Sequence, residues 1–221
     1  MIDSGAHSWN KIAGVTPPAK TLPPIDEHVK WYEEMVNGCN RPSTMFIELD
    51  CFKLFTIAEL DEMYARMPRH KTMRVYHPAY DNGSLNTVRD WIADGHTYIG
   101  IANDGVHLLD PLFKMTRDTI KVHGFAMTKP DLLRRYPFYS VDSTTPLATA
   151  QYGHVVIPSK NLDDTRYLVS KSDAAAKKLL GVTQDRAQRL RAAVIEFKRM
   201  EEYFTQLWAV RGITWSDNPW E

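Results

Sequence analysis

Two features that would narrow the fold at a glance are missing from this chain of 221 residues: a cysteine framework and a long apolar run. Cys39 and Cys51 are the two cysteines, and they form no CxxC pair. Neither a disulfide scaffold nor a cysteine-rich zinc site can be built from them, so no metal and no other cofactor is expected. No stretch of about 18 apolar residues occurs, so no membrane span is expected. A basic-then-apolar leader is also missing at the start, and a reducing cytoplasm is the expected location. Net charge is missing too. The 27 basic and 27 acidic residues cancel, and only clustering could point to a nucleic-acid partner. No GxGxxG follows the first strand candidate, which weakens a dinucleotide-binding reading.

What is there is an alternation. Short β-branched or aromatic runs recur as MIDSGA (1–6), TMFIELD (44–50), TMRVYHP (72–78), TYIGIAN (97–103), TIKVHGF (119–125), FYSVDS (138–143) and HVVIP (154–158). Between them lie amphipathic windows at 25–37, 57–67, 85–93, 108–116 and 129–136. Such alternation predicts βαβ units and a parallel sheet, and near-continuous apolar strands fit burial on both faces. The expected fold class is α/β, a shortened or incomplete (β/α) TIM-type barrel, because a complete barrel needs about 250 residues. A doubly wound open sheet is the alternative. Prolines make 16–24 an extended loop. Residues 1–160 are expected to form the barrel core, and 161–221 a helical segment packed on it. A long helix over 183–211 carries an apolar stripe of Leu190, Val194, Phe197, Phe204, Leu207 and Trp208. Its basic residues include Arg186, Arg189 and Lys198, candidates for phosphate contact. A solvated face and an oligomer contact are the competing readings.

Barrel active sites lie at the C-terminal ends of the strands. Those ends present Asp3-Ser4-Gly5, then Asp50, then His77 with Tyr80 and Asp81, then Gly100 and Asn103, then His123-Gly124, and finally Asp142-Ser143. Each has a bland reading: turn former, helix cap, hydrogen-bonded structural histidine. A joint set is harder to explain that way, since clustered buried carboxylates are costly unless paired or used. Two carboxylates in one pocket can act as nucleophile and proton carrier, while a third accepts hydrogen bonds from a planar heterocycle. That division suits exchange at a glycosidic carbon. A metal-dependent hydrolase ligated by His77, His123 and Asp50 is a further reading of the same residues.

The ordered set D-S-G-A, F-I-E-L-D, Y-I-G-I, H-G-F-A-M-T and S-V-D-S resembles the tRNA-guanine transglycosylase superfamily, most closely the small phage-encoded relatives that place 7-deazaguanines into DNA. The resemblance covers about residues 1 to 158. It implies that Asp142 is the nucleophile on the sugar carbon and Asp3 the proton-transfer aspartate. Ser4 and Gly5 would shape the base pocket, Asp50 would read the exocyclic amine and ring nitrogen, and the Gly100 backbone would face the base. His123 and Gly124 would line the pocket. His77 falls where the family carries a glutamine. The partners implied are DNA or tRNA and a free 7-deazaguanine base, with a homo-oligomer possible and no membrane. The family's cysteine-based zinc site is absent, since no cysteine follows Asp142. A relative that binds nucleic acid without catalysis is the second reading.

Overall fold

The computed structural model of the chain describes residues 1–5, 9–10, 24–41, 44–116, 119–144, 147, 155–157, 168–170 and 185–217. The loop at 16–23 lies outside them. The chain is α/β and folds as two compact units, Met1–Leu108 and Leu109–Asp217.

The first unit is built on three parallel strands: β1 (Phe46–Ile47), β2 (Thr72–Tyr76) and β3 (Tyr98–Ile101). Phe46 stands opposite Thr72, and Val75 opposite Gly100. All five residues of β2 and all four of β3 are buried, as expected of parallel strands covered on both faces. Three helices link and cover them: α1 (Ile25–Gly38), α2 (Ile57–Ala65) and α3 (Asn86–Ala93). Helix α2 starts at a reciprocal capping box, in which Thr56 and Glu59 satisfy each other's backbone N–H groups. Val29, Tyr32 and Val36 of α1 pack with Phe46, Leu49, Leu60 and Met63 to form the main core.

The opening run 1–6 was expected as a full strand, but a single bridge forms, from Ile2 to Phe46. The reason is local. The Asp3 carboxylate accepts the Gly5 N–H at 3.1 Å, and Gly5 sits at φ +78°, so the chain turns away after one pairing.

The second unit holds the parallel pair β4 (Lys121–Gly124) and β5 (Ser140–Val141), with His123 opposite Ser140. Its helices are α4 (Leu109–Thr116), α5 (Pro130–Arg135) and α6 (Arg186–Val210). Pro130 occupies the first turn of α5, where its missing N–H costs nothing. Leu133 of α5 packs on Met200 and Phe204 of α6. The run 154–158 was expected to join a parallel sheet. Its strand β6 (Val155–Ile157) instead pairs antiparallel with β7 (Leu168–Ser170), inside the stretch expected to be helical. Ten residues, 158–167, separate the two strands, fewer than the roughly a dozen or more that a parallel crossover needs.

The long helix forms from Arg186 to Val210, capped by Asp185, whose side chain accepts the Ala187 N–H. Its buried side is Ala193, Glu196, Met200 and Phe204. Val194, expected on the apolar stripe, is 52% exposed. At 100° per residue, Arg186 and Lys198 lie about 120° apart around the axis, so the basic residues form no single stripe. Among the described residues, no helix is long and apolar enough to cross a membrane.

Candidate functional site at the strand ends

In the first unit, the end of β1 is shaped by Glu48. Its backbone N–H bonds to Met73 O at 2.9 Å, and its buried carboxylate accepts the Val75 N–H and the Arg74 Nε–H. A side chain thus replaces the backbone acceptor that a third residue of β1 would have offered. Burial pushes the Glu48 carboxyl up to about 7, against the pull of Arg74. Arg74 also pairs with Asp61 and lies against the rings of Tyr64 and Trp91, 4.7 and 4.3 Å from their centroids. Freed from the ladder, the chain curls so that Asp50 N bonds to Glu48 O and Phe52 N to Asp50 O. Asn10 fastens this curl by donating to Asp50 O at 3.0 Å and accepting from Lys53 N at 3.2 Å.

The curl carries Asp50 to His77, the residue after β2. His77 Nε2 lies 3.0 Å from Asp50 Oδ2. His77 Nδ1 faces Asp104 Oδ2 at 3.5 Å, an ion-pair distance at which no hydrogen bond forms. The Phe52 ring stacks on the imidazole at 4.0 Å, and Tyr80 meets it edge-on at 5.6 Å. Burial opposes a charge on His77, but the carboxylates of Asp104 and Asp50 outweigh it and lift the imidazole to about 9. Tyr76 and Asp81 are tied into the structure instead. The Tyr76 hydroxyl donates to Asp81, which also accepts the Ser84 and Thr87 N–H groups and so fixes the start of α3.

Asp3 is exposed, and its Oδ1 makes the turn to Gly5. Ser4 is buried, and its carbonyl accepts from His28 Nε2 at 2.9 Å. Gly100 lies inside β3 opposite Val75.

In the second unit, His123 on β4 is buried. Its Nδ1 lies 2.6 Å from Ser140 Oγ, while Nε2 has no hydrogen-bond partner among the described residues. Burial holds this imidazole down to about 3, so it is neutral. Gly124 is closely packed: a Cβ there would stand 2.8 Å from Phe138 Cε1 and 3.0 Å from Met127 Cβ. Asp142, just after β5, is exposed. Its N–H bonds to Gly124 O at 3.3 Å, and its Oδ1 accepts the Ala126 N–H at 2.5 Å. Ala126 sits at φ +55°, a left-handed conformation that costs a residue with a Cβ roughly 1–2 kcal/mol. That conformation aims its N–H at the carboxylate. No other hydrogen bond to this carboxylate occurs among the described residues, so Oδ2 is left open.

Beside Asp142 runs a groove of about 810 Å³ between β5, α5, α6 and residues 213–217. Tyr139, Ser140, Val141, Ser143, Trp208 and Trp215 line it, whereas Asp142 itself does not. Lys198 reaches this groove, whereas Arg186 and Arg189 do not line it.

The structure therefore joins Asp50 with His77 in the first unit and His123, Gly124 and Asp142 in the second. Sequence reasoning missed Asp104, Phe52, Ala126 and the Glu48–Arg74 pair. An aspartate directly after the run 97–103 was the available signal for Asp104. A positive φ at an alanine leaves no signal in the sequence. Among the described residues, no group of three or more His, Cys, Asp or Glu side chains is arranged to hold a metal. No protein-family model, curated protein or solved structure matches the chain.

Proposed function

We propose that the chain is a guanine transglycosylase built on an incomplete (β/α) barrel, exchanging guanine for a 7-deazaguanine base in DNA. The observation that carries this reading is Asp142. It is an exposed carboxylate directly after a strand, with one oxygen held by a backbone N–H and the other open. A nucleophile needs that arrangement, since one oxygen sets the orientation and the other attacks.

In this reading Asp142 Oδ2 attacks the sugar carbon. A carbon–oxygen bond to the enzyme forms as the bond to guanine breaks, and Asp3 supplies the proton that guanine takes with it. The incoming deazaguanine then displaces Asp142 through its ring nitrogen and returns its proton to Asp3. The resemblance gives Asp50 the hydrogen bonds from the base. His123 supports the reading through its neutral, unpartnered Nε2, a polar atom that a bound base could satisfy. The groove lined by Tyr139, Trp208 and Trp215 offers aromatic rings on which bases could stack, although Asp142 itself does not line it.

The test is exchange of radiolabelled guanine into duplex and single-stranded DNA and into tRNA, with denaturing gels to catch the enzyme–nucleic acid adduct. Asp142→Asn should abolish both exchange and adduct. An Asp142→Asn protein that still exchanges, or a parent that binds DNA but never exchanges on any acceptor, would overturn the reading. The second outcome would leave a nucleic-acid-binding module.

A further inference from the structure

We propose that Asp104 is a positioning residue that acts through His77 to hold the Asp50 carboxylate in one orientation, with Oδ1 presented to a ligand that donates hydrogen bonds. This rests on the function proposed above and adds to it a residue outside every motif of the resemblance.

The geometry is a chain of three side chains from three successive strand ends. Asp50 Oδ2, the two His77 nitrogens and Asp104 Oδ2 follow one another at 3.0 and 3.5 Å. One nitrogen donates to Asp50 and the other stands at ion-pair distance from Asp104, so a carboxylate on each side favours the doubly protonated ring. The ring cannot turn to escape, because Phe52 covers one face at 4.0 Å and Tyr80 meets its edge. The backbone at each aspartate is itself anchored. Asp50 is held through its carbonyl by Asn10. Asp104 opens a 3-10 turn, Asn103–Leu108, docked by Ala102 N on Tyr76 O and Gly105 N on Ala102 O. A Cβ at Gly105 would meet Ile101 Cγ1 at 2.9 Å, so the close approach of that turn to β3 depends on glycine.

The charged groups around His77 agree with this assignment. Asp50 and Asp104 face it directly, the buried Tyr80 hydroxyl is neutral, and Glu48 is engaged by Arg74. Asp104 is about half exposed, and its carboxyl lies below the usual range because His77 outweighs its partial burial. One His77 proton is spent on Asp50 Oδ2, so no bond among the described residues occupies Asp50 Oδ1. An Asp50 left without His77 is free to rotate, and rotation would turn Oδ1 away from the ligand. The second carboxylate keeps His77 from losing its proton at neutral pH.

The experiment has two arms. Nitrogen-15 spectroscopy of the His77 ring follows its protonation in the parent, in Asp104→Asn and in Asp104→Glu. Guanine exchange across pH gives kcat and KM for the free base in the same proteins. Expected is a parent His77 that keeps both protons past pH 8, an Asp104→Asn ring that loses one at least about one pH unit lower, and recovery in Asp104→Glu. KM for guanine should rise about tenfold in Asp104→Asn with kcat nearly unchanged, as for loss of an outer partner of a binding residue. An unmoved His77 titration overturns the proposal, and so does a fall in kcat at constant KM. If the parent performs no exchange, the function falls while the spectroscopic arm still decides whether Asp104 sets the state of His77. Asp104 is half exposed, so its variants should fold.

Discussion

The two units each carry a buried histidine at or just after the end of a strand, and they hold the two in opposite states. His77 lies between two carboxylates and is charged, whereas His123 lies against Phe125 and a serine hydroxyl and is neutral. Both are less than a tenth exposed, so burial alone does not separate them. What separates them is the company each strand end keeps. The first unit spends two acidic side chains on its histidine. The second sends its acidic side chain, Asp142, out to solvent and satisfies it with a backbone N–H instead. A carboxylate tied to an imidazolium suits recognition, and an exposed one held by a single backbone N–H suits attack.

The largest expected effect tests that division of labour. Asp142→Asn should lower guanine exchange by at least about 10³-fold, as removal of a nucleophile does. Asp50→Asn should raise KM for the base much more than it lowers kcat. Steady-state exchange assays separate the two. Equal losses in kcat from both variants would erase the distinction between the units.

Next comes stability against pH, where the two histidines pull in opposite directions. The folded His77 imidazole, at about 9, lies above its usual 6.5, so its stabilisation is fully present below about 6.5 and is lost as pH rises through about 9. The full term is at most about 3 kcal/mol. His123, held down to about 3, works the other way: its contribution is present above about 6.5 and fades as pH falls toward 3. Glu48 adds a second alkaline loss, between about 4.5 and 7. Urea unfolding from pH 4 to 9 should show the loss above about 7, while between about 4.5 and 6.5 the rise from His123 and from the buried His96, held down to about 4, runs against the fall from Glu48. His77→Gln should remove the loss between about 7 and 9, and His123→Gln should weaken the acid one, to which His96 also contributes. A loss between about 7 and 9 that survives His77→Gln would mean that its charge is not held by Asp50 and Asp104.

These states were not legible in the sequence, although the positions were. The periodic runs at 72–78, 97–103 and 119–125 became β2, β3 and β4, and the helical windows at 25–37 and 183–211 became α1 and α6 almost residue for residue. Period and apolar content fix such elements because burial on two faces leaves few alternatives. Strand ends could be picked out for the same reason. What lay beyond reach was set by contacts distant in sequence. Glu48 completes the β1–β2 ladder with a side chain, and Asp104 meets His77 across 27 residues. The β6–β7 hairpin was misread because three-residue runs look alike whether their partner is parallel or antiparallel.

A smaller effect compares two glycines. Gly124→Ala in the second unit should cost about 1–3 kcal/mol, because the new methyl meets Phe138 at 2.8 Å and the Met127 Cβ at 3.0 Å. Gly38→Ala in the first unit should gain about 0.5–1 kcal/mol, since the space around it is open and it sits in the last turn of α1. Thermal melts of the two single variants measure both signs. Destabilisation by Gly38→Ala would show that the end of α1 needs glycine for a reason its surroundings do not reveal.

The smallest effect bears on how Asp142 is held. Ala126 sits at φ +55° in order to offer its N–H, and glycine reaches that conformation without the Cβ penalty. Ala126→Gly also loosens the unfolded chain, which takes back part of the gain, leaving about 0.5–1 kcal/mol of added stability. The N–H stays in place, so guanine exchange should be unchanged within about twofold, a rate factor worth only a few tenths of a kcal/mol. Paired melts and exchange assays give the answer. A variant that is more stable yet markedly slower would mean that the rigidity of the alanine, and not merely its N–H, keeps Asp142 ready to attack.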